Sequence, residues 1–192
     1  MPLSRESVVQ GLTRWQAIGC LLLGRADRAE QLFGKILQRR PGDAHARASR
    51  SHLRAQAGRQ AAAIADAQAL VAAHPQRSAA DWFNLGFVLE AAGRAADAEP
   101  AFRRAVALDE RLDRAWYGLA LALIRLGRHD EAVVALEHNT RLQPMSPHGW
   151  YQLARLQVQR REPEAARRII RHLQGFEPKV AAQLQRETGL AP

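Results

Sequence analysis

Apolar residues recur every three or four positions along most of the chain. A typical stretch places Trp82, Leu85 and Leu89 on one face of a segment, and Ala98 and Phe102 on one face of the next. This spacing is that of an amphipathic α-helix, in which residues three and four apart share a face. No stretch alternates apolar and polar residues in the way of a β-strand. The pattern therefore predicts an all-α protein.

The helical pattern is itself repeated. Trp82, Trp116 and Trp150 are each 34 residues from the next. A period of this length predicts helical hairpins that stack on one another, with function on a surface built from equivalent positions. The predicted units lie near residues 10–43, 44–78, 79–112, 113–146 and 147–180, with one single-residue slip near residues 76–78. We expect one array over residues 1–192, closed by a short capping helix at residues 181–190.

Turn and capping residues support these boundaries. Gly58, Gly93 and Gly127 fall where the first helix of a unit must end, and glycine accepts the left-handed conformation that such an end requires. Arg161 replaces this glycine in the fifth unit. The predicted helix starts are marked by Asp43, by Ser78 with Asp81, and by Ser146 before Pro147.

The order and spacing of residues within each unit resemble those of the tetratricopeptide repeat, whose pattern is W-x2-L-G-x2-Y, then A-x3-F, then P. The matching residues are Trp82, Leu85, Gly86, Leu89, Gly93, Ala98, Phe102 and Ala105 in the third unit, and Trp116, Leu119, Ala120, Leu123, Gly127, Ala132, Leu136 and Pro144 in the fourth. Two departures are Arg47 at the tryptophan position of the second unit and Glu110 where the family favours proline. The resemblance implies an α-solenoid of about five 34-residue helix-turn-helix repeats.

The same resemblance implies a binding surface for a partner protein or peptide. In the family, the first helices of successive repeats line a concave groove. The residues at the corresponding positions are His45, His52, Phe83, Asn84, Phe87, Arg114, Tyr117, Tyr151 and Arg155. Aromatic anchors with interspersed arginines suit a segment that is partly apolar and partly acidic. The alternative is that Phe83, Phe87 and Tyr117 only complete the packing between helices.

Chaperone-binding members of the family hold a terminal carboxylate with lysine, asparagine and arginine at fixed groove positions. Asn84 and Arg114 match two of these positions, but Ala48, His52 and Gly118 occupy the others. We therefore do not expect a receptor for chaperone tails.

A second candidate surface lies at the N-terminal end. The first helix is apolar around more of its circumference than one packing face can hide, with Val8, Val9, Leu12, Trp15 and Leu22 among its residues. Because an end repeat usually presents a polar outer side, we predict a docking surface at Leu12, Trp15 and Leu22. It would serve a homodimer or a larger enzyme or membrane assembly in which the chain is a structural accessory subunit.

The formal charge of +9 raises nucleic-acid binding as a further alternative. Segments 1–43, 44–78 and 147–192 carry +3, +4 and +4, whereas 79–112 carries −2 and 113–146 is neutral. A protein that follows a phosphate backbone would present one continuous basic stripe. Since the charge is concentrated at the two ends, we do not favour nucleic acid as the partner.

Catalytic and metal-binding patterns are missing from the sequence. No phosphate-binding loop, dinucleotide fingerprint, H-E-x-x-H motif or nucleophile elbow occurs. His45 and His52 are seven residues apart, about 10 Å along a helix, which is too far to share one zinc ion. We expect no enzymatic activity, cofactor or metal. The apolar run at residues 17–23 is too short to span a membrane, and we expect a cytoplasmic protein.

Overall fold

The computed structural model describes residues 5–191, with their side chains from residue 11 onward. Over this range the chain forms eleven α-helices and no β-strand. Val8 and Val9, part of the predicted N-terminal surface, lie outside the described side chains. The helices are α1 Arg5–Leu22, α2 Ala26–Arg39, α3 Ala44–Gln56, α4 Gln60–Ala73, α5 Ala79–Ala91, α6 Ala95–Leu108, α7 Asp113–Arg125, α8 His129–Leu142, α9 Pro147–Gln159, α10 Pro163–Gln174 and α11 Pro178–Thr188.

The helices form two compact units that divide between Ala92 and Gly93. Unit 1 contains α1 to α5 and unit 2 contains α6 to α11. Within each unit every helix packs against the next one in sequence, and α3 also touches α5 while α9 also touches α11. This is the packing of stacked helical hairpins. The prediction that residues 1–192 act as a single array stays a prediction.

The hairpin turns have the predicted conformation. Gly58 and Gly127 both have φ of 72°. The next residue in each case donates its backbone N–H to a carbonyl five residues back, with Arg59 bonded to Arg54 at 2.8 Å and Arg128 bonded to Leu123 at 2.9 Å. These bonds satisfy carbonyls at the helix end that have no partner within the helix.

Arg161 makes the same turn without glycine. Its φ is 60°, and the N–H of Glu162 bonds to the carbonyl of Gln157 at 2.9 Å, as in the glycine turns. A side chain in the left-handed region costs roughly 1–2 kcal/mol because Cβ approaches a backbone oxygen. The period of the repeat therefore imposes the turn even where the residue disfavours it.

The periodic tryptophans connect each repeat to the loop before it. In each case the indole Nε1 donates a hydrogen bond to a backbone carbonyl just N-terminal to its own helix. The pairs are Trp82 with Pro75, Trp116 with Glu110 and Trp150 with Pro144, all at 2.9 Å. The bond fixes the first helix of a repeat against the end of the preceding one.

This bond explains both departures from the family pattern. The acceptor is a backbone carbonyl, so Glu110 serves as well as proline. At the tryptophan position of the second repeat, Arg47 donates from its guanidinium to the carbonyl of Pro41, six residues back. The single-residue slip in the repeat falls between Pro75 and Trp82. The tryptophan there is seven residues from its acceptor instead of six, and the indole still donates to the Pro75 carbonyl.

Small residues allow close helix packing inside unit 2. Ala98, Ala132 and Ala166 are fully buried. The packing around Gly118 is tighter still, because a Cβ at this position would lie 2.5 Å from Cε1 of Phe102. The glycine that departs from the family's carboxylate clamp is thus required by packing.

The predicted helix starts are confirmed in part. The side chain of Asp43 accepts from the N–H of Ala46, and that of Ser78 accepts from the N–H of Ala80. Ser146 is the N-cap of α9, but the prediction of a capping hydroxyl is wrong, since its side chain makes no capping hydrogen bond. Pro147 at the first helical position has a fixed φ that starts the helix without that bond.

The final helix differs slightly from the predicted residues 181–190. It begins earlier, because Pro178 occupies a first-turn position that suits proline. It ends at Thr188, because the following Gly189 has a φ of 68°.

Replacing Arg161 with glycine should stabilise the protein. Relief of the left-handed strain favours the folded state, and part of this gain is offset by the larger unfolded-state entropy of glycine, so we expect about 1 kcal/mol or less. The matched variant Gly127→Arg should lose a similar amount. Urea unfolding followed by circular dichroism measures both. Destabilisation by Arg161→Gly would show that the arginine side chain contributes more than the strain costs.

Candidate functional site

Three of the five predicted groove residues of unit 1 meet at a cavity of about 300 Å³ among α3, α4 and α5. His52, Asn84 and Phe87, all predicted from the sequence, line it. The remaining lining residues are Ala48, Ser51, Ala55, Gln56, Gln60, Ala67, Leu70, Asp81, Val88 and Ala91. The cavity is of the size at which pockets for small ligands begin, and its lining is largely apolar.

Phe87 is the prominent aromatic group of this cavity. Its side chain is 57% exposed, whereas its neighbour Val88 is buried. The Phe83 ring lies beside it with centroids 6.2 Å apart and a tilt of 31°. Phe83 is half-buried and serves as a support. More than half of the surface of Phe87 is therefore in contact with solvent.

His45 is not part of the cavity. Its ring meets the edge of Phe33 with centroids 6.2 Å apart and an interplanar angle of 73°. Phe33 is fully buried in the core of α2. The structure therefore gives His45 a packing contact, while His52 remains at the cavity.

In unit 2 the predicted residues lie on α7 and α9. Arg114 is exposed and Tyr117 half-buried on α7. On α9 the guanidinium of Arg155 lies over the Tyr151 ring, 5.6 Å from its centroid. Such a cation–π contact orients the arginine along the helix surface.

Tyr151 is held by the last helix. Its hydroxyl lies 2.7 Å and 2.9 Å from the two carboxylate oxygens of Glu187, and Gln183 donates to the same carboxylate at 2.8 Å. The bonds from Gln183 and Tyr151 lower the pKa of Glu187, and the bond to Glu187 raises the pKa of Tyr151. The tyrosine predicted as a free anchor thus contacts the chain's own α11.

An ionic network in unit 1 was not predicted from the sequence. Asp66 is buried and accepts from Arg50 at 2.6 Å and 2.8 Å and from Arg54 at 2.9 Å. Arg54 also bonds to Glu30 at 2.9 Å, and Arg59 contacts the same glutamate. The hydrogen bonds to Asp66 raise the pKa of Arg50. Burial alone would raise the pKa of Glu30, but the bond from Arg54 and the nearby arginine charges lower it.

The predicted N-terminal surface is exposed. Leu12, Trp15 and Leu22 on α1 have exposed fractions of 57%, 72% and 84%, and Leu23 follows with 71%. Ala17 and the half-buried Cys20 face the core between α1, α2 and α3. Only part of the apolar circumference of α1 is therefore used within the described residues.

The described residues contain no cluster of three or more side chains suited to a metal ion. Nor does any helix within residues 5–191 have the length and apolar character needed to cross a membrane.

Comparison with known proteins agrees with this geometry. Two tetratricopeptide repeat profiles match residues 21–78 and 89–150. The chain belongs to the tetratricopeptide repeat family. No curated protein matches it in sequence.

Solved tetratricopeptide structures share the fold. YrrB, described as a TPR protein with an unusual peptide-binding site, aligns with a TM-score of 0.81 at 19% identity over 91% of this chain and 90% of YrrB. MamA aligns with a TM-score of 0.77 at 20% identity over 90% and 96% of the two chains. A MamA fragment from Desulfovibrio magneticus RS-1 gives 0.78 at 18% identity over 94% and 97%. These likenesses confirm the all-α fold of helical repeats of the α-solenoid class.

Besides the ionic network, two side chains of this tetratricopeptide protein have surroundings that the sequence does not predict, Asp81 and Glu187. Asp81 was recognised only as a capping residue, although it lines the unit 1 cavity. Glu187 lies in the predicted capping helix at residues 181–190, and the sequence predicts no partner for its carboxylate. A signal existed for Asp81, because the equivalent positions in other repeats hold Ala46, Ala115 and Gly149, none of which is charged.

Replacing Asp66 with asparagine should destabilise unit 1. The change leaves Arg50 and Arg54, which are 19% and 23% exposed, without their shared carboxylate. Since both arginines keep some contact with water, we expect a loss of about 2–3 kcal/mol, below the cost of breaking a fully buried pair. Urea unfolding measures it. The control is Asp130→Asn, whose carboxylate is 88% exposed, and it should change stability by less than about 1 kcal/mol. Equal effects would contradict a special role for Asp66.

The contact between Tyr151 and Glu187 should depend on pH. A carboxylate with a lowered pKa stabilises the folded state above its ordinary pKa, and this contribution is lost as pH falls through the folded value. Tyr151, with a raised pKa, contributes below its ordinary pKa and loses its effect in strong alkali. Glu187→Gln and Tyr151→Phe should therefore be less stable than wild type at neutral pH, and the difference in urea midpoint should narrow as pH falls below the ordinary pKa of glutamate. A difference in urea midpoint that does not change with pH would exclude this contact.

Proposed function

We propose that the chain is an adaptor that binds a segment of a partner protein on the first-helix surfaces of its repeats. The observation that carries the proposal is the unit 1 cavity with the exposed ring of Phe87 on its wall. A protein that keeps a large aromatic side chain in water beside an apolar cavity gains when a partner covers both. YrrB, which shares the fold, is a peptide-binding member of the family.

The charges support a protein partner over nucleic acid. The segment 44–78 has the highest charge density, but Arg50, Arg54 and Arg59 are bound to Asp66 and Glu30. Guanidinium groups that already bind carboxylates are poorly available for phosphate oxygens. Non-specific binding to nucleic acid requires many such available groups.

The two units suit different kinds of partner side chain. Phe87 and the cavity of unit 1 suit an apolar side chain. Arg114 and Arg155 are exposed in unit 2, and acidic residues of a partner would add to the contacts that both arginines make within the chain. Tyr151 would bind only in concert with α11, because its hydroxyl is bonded to Glu187. No catalytic role is part of the proposal, and the expected cytoplasmic location stays a prediction of the sequence.

A second candidate function is that of a structural subunit that docks through α1. It is favoured by the exposure of Trp15 and Leu22, at 72% and 84%. Apolar side chains this exposed, two turns apart on one helix, are typical of a surface that is covered in an assembly.

Affinity purification of the tagged chain followed by mass spectrometry tests these functions. We expect a stoichiometric protein that Phe87→Ala reduces about tenfold or more, since exposed aromatic anchors dominate binding energy. Val134→Ala is the control, because Val134 is 53% exposed on α8 and lies outside the cavity.

The outcomes separate the two candidates. A partner retained by Phe87→Ala and lost from a Trp15→Ala, Leu22→Ala variant would favour docking through α1. A partner unaffected by both variants would contradict both functions. Sedimentation velocity of each variant alone would show whether α1 instead joins two copies of the chain.

A further inference from the structure

Asp81 is the one carboxylate among the described residues that line the unit 1 cavity. It lies in the first turn of α5, and its side chain is 6% exposed. One oxygen, Oδ1, accepts from the guanidinium of Arg77. The other, Oδ2, is buried and has no hydrogen-bond partner among residues 5–191.

Helix packing does not require an acid at this position. The equivalent residues Ala46 and Ala115 are fully buried, and in the fifth repeat the position is Gly149. Stacked repeats thus form with a small side chain here. Asp81 places a carboxylate where the repeat otherwise needs only a small, apolar contact.

An unpartnered buried carboxylate oxygen is costly. A buried polar group without a hydrogen bond destabilises the folded state, and the effect is larger when the group is charged. Arg77 offsets the charge but satisfies only Oδ1. A ligand that brings an N–H donor into the cavity would recover this cost on binding.

The surrounding groups favour a cation at the same place. Phe87 offers an exposed ring, and aromatic faces attract ammonium and guanidinium groups. Leu70 and Val88 provide apolar wall, along which the methylene stem of lysine or arginine can pack while its charged end reaches a carboxylate. The volume of about 300 Å³ is several times the roughly 30 Å³ of a water molecule, so a long side chain can enter.

We propose that the unit 1 cavity is a specificity pocket for a lysine or arginine side chain of the bound segment, whose charged nitrogen donates to Oδ2 of Asp81. This inference rests on the proposed function and refines it. The segment expected from the sequence was apolar and acidic. At this cavity an acidic side chain would face the carboxylate of Asp81, and the partner must instead present a base.

The test is selection of binding peptides from a random library displayed on phage, carried out with the whole chain. Wild type should enrich peptides with lysine or arginine at one fixed position next to an apolar residue. In a selected peptide, replacing that lysine with norleucine keeps the stem and removes the donor. We expect wild type to lose about tenfold or more in affinity, the effect of one hydrogen bond to a charged group.

Two variants make the test specific. Asp81→Ala restores the residue of two other repeats, so it should fold, and it should bind the lysine and norleucine peptides equally. Asp27→Ala removes the same charge in the same unit from a carboxylate that is 85% exposed and outside the cavity, and it should behave as wild type.

The outcomes distinguish the two proposals. Failure of wild type to enrich any peptide would overturn both. Peptides that depend on Phe87 but have no fixed basic residue would leave the proposed function standing and overturn the specificity pocket, with Oδ2 then satisfied by water. A lysine preference that persists in Asp81→Ala would also overturn it.

Discussion

The hydrogen bond from the first helix of a repeat to the preceding loop is the contact on which the rest of the structure depends. Trp116 and Trp150 donate from the indole to a carbonyl six residues earlier, and Arg47 does so with a guanidinium. Because the acceptor is backbone, neighbouring side chains can vary. Within each unit the bond fixes the first helix of a repeat against the end of the preceding hairpin.

Turn geometry provides the second constraint. The left-handed residue between the helices of a hairpin allows the chain to reverse while the last carbonyls remain bonded. Arg161 takes this conformation because the packing of α9 against α10 determines where the chain must reverse. At Arg161 the packing between helices outweighs the preference of a non-glycine residue for negative φ. This is expected, because a buried interface contributes more free energy than the strain of one residue costs.

Some residues of the candidate site lie at positions that the repeat pattern predicts, and others are residues that the stacking of repeats does not require. His52, Asn84 and Phe87 were predictable because equivalent positions of a tetratricopeptide repeat face the same side. Asp81 and Glu187 were not. The cavity that Asp81 lines is formed with α3 and α4, and Glu187 bonds to Tyr151 on α9, 36 residues away. Tyr151 and His45 show the converse, since predicted surface residues proved to have partners within the chain.

By itself, the sequence determined the helices, the pairing of successive helices and the turns between them. These follow from spacing and from the conformational limits of glycine and proline, which are local properties. Only the tertiary structure decided that Asp66 pairs with three arginines, that α11 binds Tyr151 and that a buried oxygen of Asp81 has no hydrogen-bond partner among residues 5–191. Burial and pairing depend on the distance between side chains on different helices, and a periodic pattern does not contain that distance.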